Sequence, residues 1–183
     1  MHMSEPLASK IRPQNLDEFI GQEHVVGRGK PIRVAIEQKH LFSFILWGPP
    51  GVGKTTLARI YARSMGAELY ELSAVSAGKD DIRRIVGIKT IGRPKVLFLD
   101  EIHRFNKAQQ DFLLPFVERG ELTLVGATTG NPSFEVISSL LSRCRVFVLH
   151  ELSSKEMSGV IDRTGASIDQ DAKNWLVAMA GGD

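Results

Sequence analysis

Along the chain, short uninterrupted apolar runs alternate with stretches whose apolar residues recur every three or four positions. Phe44–Trp47 within "SFILW", "AELYELS" (67–73), "KVLFLD" (95–100), "LTLVGATT" (122–129) and "RVFVLH" (145–150) have the length and composition of strands. "TTLARIYARSM" (55–65) places Leu57, Ile60, Tyr61 and Met65 at helical spacing, and "KDDIRRIV" (79–86) suits a short helix. "NKAQQDFLLPFVERG" (106–120) predicts a helix with Asn106 as its N-cap and Gly120 past its end. Pro115 should kink this helix or mark its last turns. "FEVISSLLSR" (134–143) predicts one further helix. Strands apolar on both faces, alternating with helices, imply an α/β fold with a parallel sheet covered on both sides. After His150 the pattern changes to two amphipathic helical stretches with no strand between them. Residues 1–150 are therefore expected to form one core, and 151–183 the start of a small helical domain that continues past Asp183.

Composition narrows the class. At 183 residues, 43% hydrophobic and 24% charged, the chain fits an ordinary globular domain. It has no apolar run of about 18 residues, the length a membrane span needs. A single cysteine, Cys144, rules out an internal disulfide and a cysteine-built zinc site. These features are expected of a cytoplasmic protein. The net charge of +2 is too small to argue for nucleic acid by itself.

Candidate chemistry begins at "ILWGPPGVGKTT" (45–56), where an apolar run stops against prolines and glycines. Gly48, Gly53, Lys54 and Thr55 fit G-x-x-x-x-G-K-[ST]. Glycines such as Gly51 and Gly53 admit positive φ and close backbone approach, so successive N–H groups can converge on phosphate. The helix that follows adds its N-terminal N–H groups and dipole. Lys54 is placed to reach the β- and γ-phosphates, and Thr55 to put a hydroxyl on Mg²⁺. Pro50, Gly51, Val52, Gly53, Lys54, Thr55 and Thr56 are the candidate nucleotide contacts. "VLFLDEIH" then presents two carboxylates at the end of a buried strand. Asp100 suits Mg²⁺, directly or through water, and Glu101 the orientation or deprotonation of an attacking water.

With "GPPGVGKTT", "VLFLDE", "GATT" and "SRCR" on the page, the chain resembles an AAA+ ATPase of the clamp-loader group. The closer resemblance is to the replication-associated recombination protein A and Werner-helicase-interacting family. "RPQNLDEFIGQEHVVGRGKPI", "DEIHRFNKAQQDFLLPFVE", "GATTGNPSFEVISSLLSRCRV" and "GGD" carry that closer resemblance. It implies a P-loop NTPase sheet of five strands in the order 5-1-4-3-2, with ATP or ADP and Mg²⁺ at the carboxyl ends of the strands. It also implies that Arg12, Pro13, Ile20 and Gly21 lie against adenine. Thr128 would be the residue sensing the γ-phosphate, with Thr129 as the alternative. Arg143, with Arg145 as competitor, would be an arginine finger acting on a neighbouring subunit. Members of the family continue past "GGD" into an Ala-Arg pair whose arginine also senses nucleotide.

Forked or single-stranded DNA, single-strand-binding protein, a homo-oligomer and a nucleoid-associated location follow from the resemblance alone. The fragment itself is expected to be monomeric. A Holliday-junction motor or clamp-loader subunit shares the phosphate loop and the "GATT" or "SRC" features. A nucleotide-gated scaffold would need neither Glu101, Thr128 nor Arg143, and a small-molecule kinase leaves the "DE" pair unexplained. Among further residues, Cys144 reads as a small core residue despite its flanking arginines. His103 reads either as a relay from the acidic pair or as a surface or capping histidine. Gln109 and Gln110 read as a polar helix face.

Overall fold

The structure, a computed structural model, describes residues 12–180; Met1–Ile11 and the "GGD" of 181–183 lie outside the described residues. Two short helices, α1 (Glu23–Val26) and α2 (Pro31–Glu37), precede strand β1 (Phe44–Trp47). Then follow α3 (Lys54–Ser64), β2 (Glu68–Ser73), α4 (Lys79–Gly87), β3 (Lys95–Asp100), a 3₁₀ turn (Ile102–Arg104) and α5 (Lys107–Glu118). The chain continues through β4 (Thr123–Thr128), α6 (Pro132–Glu135), α7 (Ser138–Leu141), β5 (Arg145–Val148), α8 (Ser154–Asp162) and α9 (Gln170–Ala180). No described helix is long and apolar enough to cross a membrane.

All strand pairs are parallel and the sheet order is β2-β3-β4-β1-β5, the expected 5-1-4-3-2 read from the other edge. Side chains alternate across each strand, so the central strands feed two cores. Phe44, Leu46, Val96, Phe98, Val125 and Ala127 pack with Leu57, Ile60 and Tyr61 of α3. Ile45, Leu97, Leu99 and Leu124 face the other way, onto Ile82 and Ile85 of α4 and Leu113 of α5. Gly126 lies between them, where a Cβ would stand 3.2 Å from Ile102 Cδ1 and 3.3 Å from Ile45 Cγ1, so the sheet closes onto the 3₁₀ turn through a missing side chain. The register pairs Trp47 with Thr128 and with Val148, which lines up the carboxyl ends of the three strands on one rim. Trp47 is only partly buried at that rim.

α5 begins as expected. Asn106 Oδ1 accepts the Gln109 N–H (2.9 Å) while Gln109 Oε1 accepts the Asn106 N–H (2.9 Å), a reciprocal cap. Pro115 stands in the last turn, and Gly120 follows the helix end. Two expectations are corrected. The single helix over 134–143 is two four-residue helices separated by extended Val136 and Ile137. Breaking there buries Val136 and hands the Ile137 N–H to Gln110 Oε1 (2.9 Å). Gln110 is accordingly not part of a polar face. It is 2% exposed, and its Nε2 also donates to the carbonyls of Phe105 (2.9 Å) and Glu135 (3.0 Å). Cys144 packs against the second core, and burial pushes its thiol up to about 12, which leaves it inert at neutral pH.

Candidate functional site: a two-part cleft on the carboxyl rim

The chain leaves β1 at the rim, reverses through residues 48–53, and enters α3. Gly53, at φ 93°, caps α3, and a Cβ there would lie 2.8 Å from Phe19 Cζ, so the loop can sit against the N-terminal segment only with glycine at this position. Lys54 is 9% exposed, and its Nζ donates to the carbonyl oxygens of Gly48 (2.8 Å) and Pro49 (2.6 Å). The ammonium group thus lies inside the curve of the loop.

Two cavities meet there. The more polar, about 310 Å³, is lined by Pro50, Gly51, Gly53, Lys54, Thr55 and Thr56 from the loop and α3, by Asp100 and Glu101 from the end of β3, by Thr129 from the end of β4, and by Arg12. The second, about 450 Å³, is largely apolar. Arg12, Pro13 and Ile20 line it together with Phe19, Val52, Leu152, Met157, Val160 and Arg163. Gly21 is not among its lining residues; a Cβ there would meet Leu152 Cδ2 at 2.6 Å, so Gly21 admits the wall rather than forming it. The two cavities share Arg12, Gly51, Gly53 and Thr56. A polar trough opening into an apolar slot suits a molecule with phosphates at one end and a flat base at the other.

The stretch after His150, expected to begin a small helical lid, supplies a wall through α8 whose lining residues the sequence did not single out. Met157 and Val160, spaced i and i+3, point to one side of that helix. Arg163 at its end donates to the Glu18 carbonyl and lies 3.2 Å from Glu18 Oε2. Ser153 caps α8 through Glu156, whose carboxyl is held below its ordinary value by hydrogen bonds from the Ser153 hydroxyl and N–H.

Glu101 has left-handed backbone geometry (φ 52°, ψ 45°), a conformation costing a side-chain-bearing residue about 1–3 kcal/mol. The Glu101 N–H donates to Asp100 Oδ1 (3.0 Å), and the Arg104 N–H donates to the Glu101 carbonyl (2.7 Å), so the turn is fixed from both sides. Glu101 Oε2 is buried without a hydrogen-bond partner among the described residues. Its neighbour is His103 Nδ1 at 3.2 Å, close enough for an ion pair but outside hydrogen-bond geometry. The same Nδ1 is 2.9 Å from Thr128 Oγ1. Thr128 is fully buried and its hydroxyl also engages the N–H (3.0 Å) and carbonyl (3.3 Å) of Gly130. Thr129 is exposed and lines the polar cavity.

Arg143 is in neither cavity's lining. It lies beyond α7, with Nη2 2.9 Å from Glu118 Oε1 and Nη1 donating to Ser142 Oγ (2.9 Å). Arg145, the alternative, stacks over Phe42 with its guanidinium carbon 5.6 Å from the ring centre.

The residues present fit a nucleotide with Mg²⁺: a glycine cradle that a Cβ would obstruct, a buried ammonium, the Thr55 hydroxyl and the Asp100 carboxylate share one trough.

Comparison with known proteins gives a family and several relatives. The family described as the Holliday junction DNA helicase RuvB P-loop domain matches residues 11–139. Replication-associated recombination protein A of Escherichia coli K12 is 50% identical over 161 residues, covering 86% of this chain and 36% of that protein. The ATPase WRNIP1 of Dictyostelium discoideum is 42% identical over 97% of this chain and 22% of its own length. Among solved structures, the Thermotoga maritima RuvB Holliday junction branch migration motor has a TM-score of 0.75 at 34% identity, over 91% of this chain and 59% of that one. The chain thus spans about a third of the length of the bacterial recombination proteins it matches.

Proposed function

We propose, for a chain that belongs to the P-loop domain family of the Holliday junction DNA helicase RuvB, that this domain is the ATP-binding and ATP-hydrolysing core of a protein acting in DNA replication and recombination at stalled forks. The observation that carries the reading is the meeting of Lys54, Thr55, Asp100 and Glu101 in one polar trough, continuous with an apolar slot of base-binding shape.

In this reading the N–H groups of Gly51 to Thr56 and the Lys54 ammonium hold the phosphates, and Arg12, Pro13, Phe19, Ile20 and the α8 wall hold the base. Thr55 and Asp100 hold Mg²⁺, which when bound neutralises charge on the phosphate oxygens. Glu101 takes the proton of the attacking water. Thr129 faces the γ-phosphate end of the trough, and Thr128 acts from beneath it. Arg143 is the finger offered to a neighbouring subunit. Residues 151–183 begin a lid whose first helix closes the base slot.

The choice between relatives rests on likeness. The recombination protein A sequences reach 50% identity, against 34% for the RuvB motor, and that difference favours a fork-maintenance protein over a branch-migration motor. Forked or single-stranded DNA, single-strand-binding protein and further copies of the same chain are its proposed partners, in the cytoplasm beside the nucleoid. The test is Glu101→Gln in the full-length protein, which keeps the side chain's shape and removes the base. ATP should still bind, and phosphate release should be lost with and without forked DNA. Wild-type turnover in that variant would overturn the assignment.

A further inference from the structure

His103 is not needed to hold nucleotide or metal in the reading above, yet it stands between the two strand ends that bracket the trough. A hydroxyl has one proton and two acceptor positions. Thr128 Oγ1 accepts from the Gly130 N–H, and its own proton has an acceptor in the Gly130 carbonyl at 3.3 Å. The remaining acceptor position faces His103 Nδ1 at 2.9 Å. Glu101 Oε2, buried and 3.2 Å from the same nitrogen, is also an acceptor. A lone pair on Nδ1 would face two oxygens; a proton there satisfies Thr128 and offsets the carboxylate charge. The surroundings therefore select the Nδ1–H form of the ring. The ring is only 18% exposed, so water is a poor substitute for it.

We infer that His103 is a positioning residue for hydrolysis, whose Nδ1–H, held by Thr128 beneath the trough, lies beside the Glu101 carboxylate and so sets where the base points. The inference rests on Glu101 being the base. Because Glu101 Oε2 lies outside hydrogen-bond geometry, the carboxylate is steered rather than locked. A shift of the β4 end on contact with the γ-phosphate would move His103 and re-aim Glu101 with it. The backbone of Glu101, already pinned by Asp100 and Arg104, leaves the side chain as the element that turns.

The test uses full-length protein and three substitutions. His103→Leu removes the donor. His103→Asn keeps a donor near the Nδ1 position, because Asn Nδ2 overlays that atom. Loss of a hydrogen bond between neutral groups corresponds to roughly a twofold to tenfold effect. His103→Leu should lower kcat by about that factor with KM and ATP affinity unchanged, and His103→Asn should regain most of the rate. Wild-type kcat in His103→Leu, or equal impairment of the Leu and Asn variants, would each overturn the inference. If Glu101→Gln itself turns over normally, the base assignment fails and the inference fails with it; an inactive Glu101→Gln beside a fully active His103→Leu sinks the inference alone.

Discussion

Gln22 and His150, 128 positions apart, are joined by two hydrogen bonds: Gln22 Nε2 donates to the His150 carbonyl (2.6 Å), and Gln22 Oε1 accepts the His150 N–H (3.0 Å). Gln22 is 5% exposed and adopts φ 60°, so a strained, buried amide seals the N-terminal segment to the chain where it leaves β5 for α8. Both walls of the base slot hang from this junction. Gln22→Ala removes both hydrogen bonds to the His150 backbone, a loss of roughly 1–3 kcal/mol at about 0.5–1.5 kcal/mol per bond. The urea midpoint should fall with the slope unchanged, and ADP affinity should fall with it. A midpoint equal to wild type would show that water replaces the amide.

Lys54 should separate binding from folding. Its ammonium donates to the Gly48 and Pro49 carbonyls inside the loop, and the side chain belongs to neither core on the faces of the sheet. Lys54→Ala should weaken ATP and ADP affinity by about tenfold to a hundredfold, as expected for a lost charge-assisted contact. Calorimetric titration measures the affinity, and circular dichroism checks that the fold is retained. Unchanged affinity would remove the loop from the binding site.

Much of this was legible in the sequence, for reasons that differ by element. β3 and β4 are central strands whose residues are apolar on both faces, and burial on both faces leaves only one reading for such runs. The phosphate loop is legible because its chemistry is local: a turn, an ammonium and a hydroxyl within eight residues. The α8 wall is not local. Met157 and Val160 lie about a hundred residues from the loop, and tertiary contacts such as the Gln22–His150 junction and the Arg163–Glu18 contact bring them over the slot. Gln110 misled for another reason. Periodicity scores it as polar, but the Phe105 carbonyl and two backbone groups freed by the break at Val136–Ile137, the Glu135 carbonyl and the Ile137 N–H, satisfy it in the interior. That break was hidden in turn, because Val136, Ile137, Leu140 and Leu141 have a helical spacing that the buried amide overrides.

Alkaline pH should destabilise the fold in a defined window. Burial raises the Cys144 thiol from 9.0 to about 12 and the Tyr61 phenol from 10.0 to about 12. Both groups are neutral when protonated, and the unfolded chain loses these protons first. Their contribution to stability is therefore fully present below about pH 9 and is lost as pH rises towards 12. Denaturant midpoints should be level from pH 7 to 9 on this account and fall above it, with Cys144→Ala flattening the first part of the fall. Iodoacetamide at pH 8 should label Cys144 only after unfolding. Rapid labelling of the folded chain would contradict the buried, protonated thiol.

Arg143 and Glu118 are the last relationship with a functional consequence. Their side chains are 50% and 39% exposed, and an exposed pair of this kind contributes about 0–1 kcal/mol. Releasing the guanidinium towards a neighbouring subunit therefore costs little. Within one chain, Arg143 is outside both halves of the cleft, a position compatible with the proposed finger acting on a neighbouring subunit. Residues 1–183 alone should be monomeric in dilute solution, bind ATP or ADP with Mg²⁺, and hydrolyse very slowly; sedimentation and phosphate release measure both. In the full-length protein, Arg143→Ala should abolish turnover and leave binding nearly intact, since fingers of this kind contribute roughly 10³ to 10⁵ in rate. Mixing it with Lys54→Ala subunits should restore part of the activity, because the first variant keeps an intact site and the second an intact finger. Subunits shown to exchange, yet inactive at every mixing ratio, would place the charge that completes the site somewhere other than Arg143.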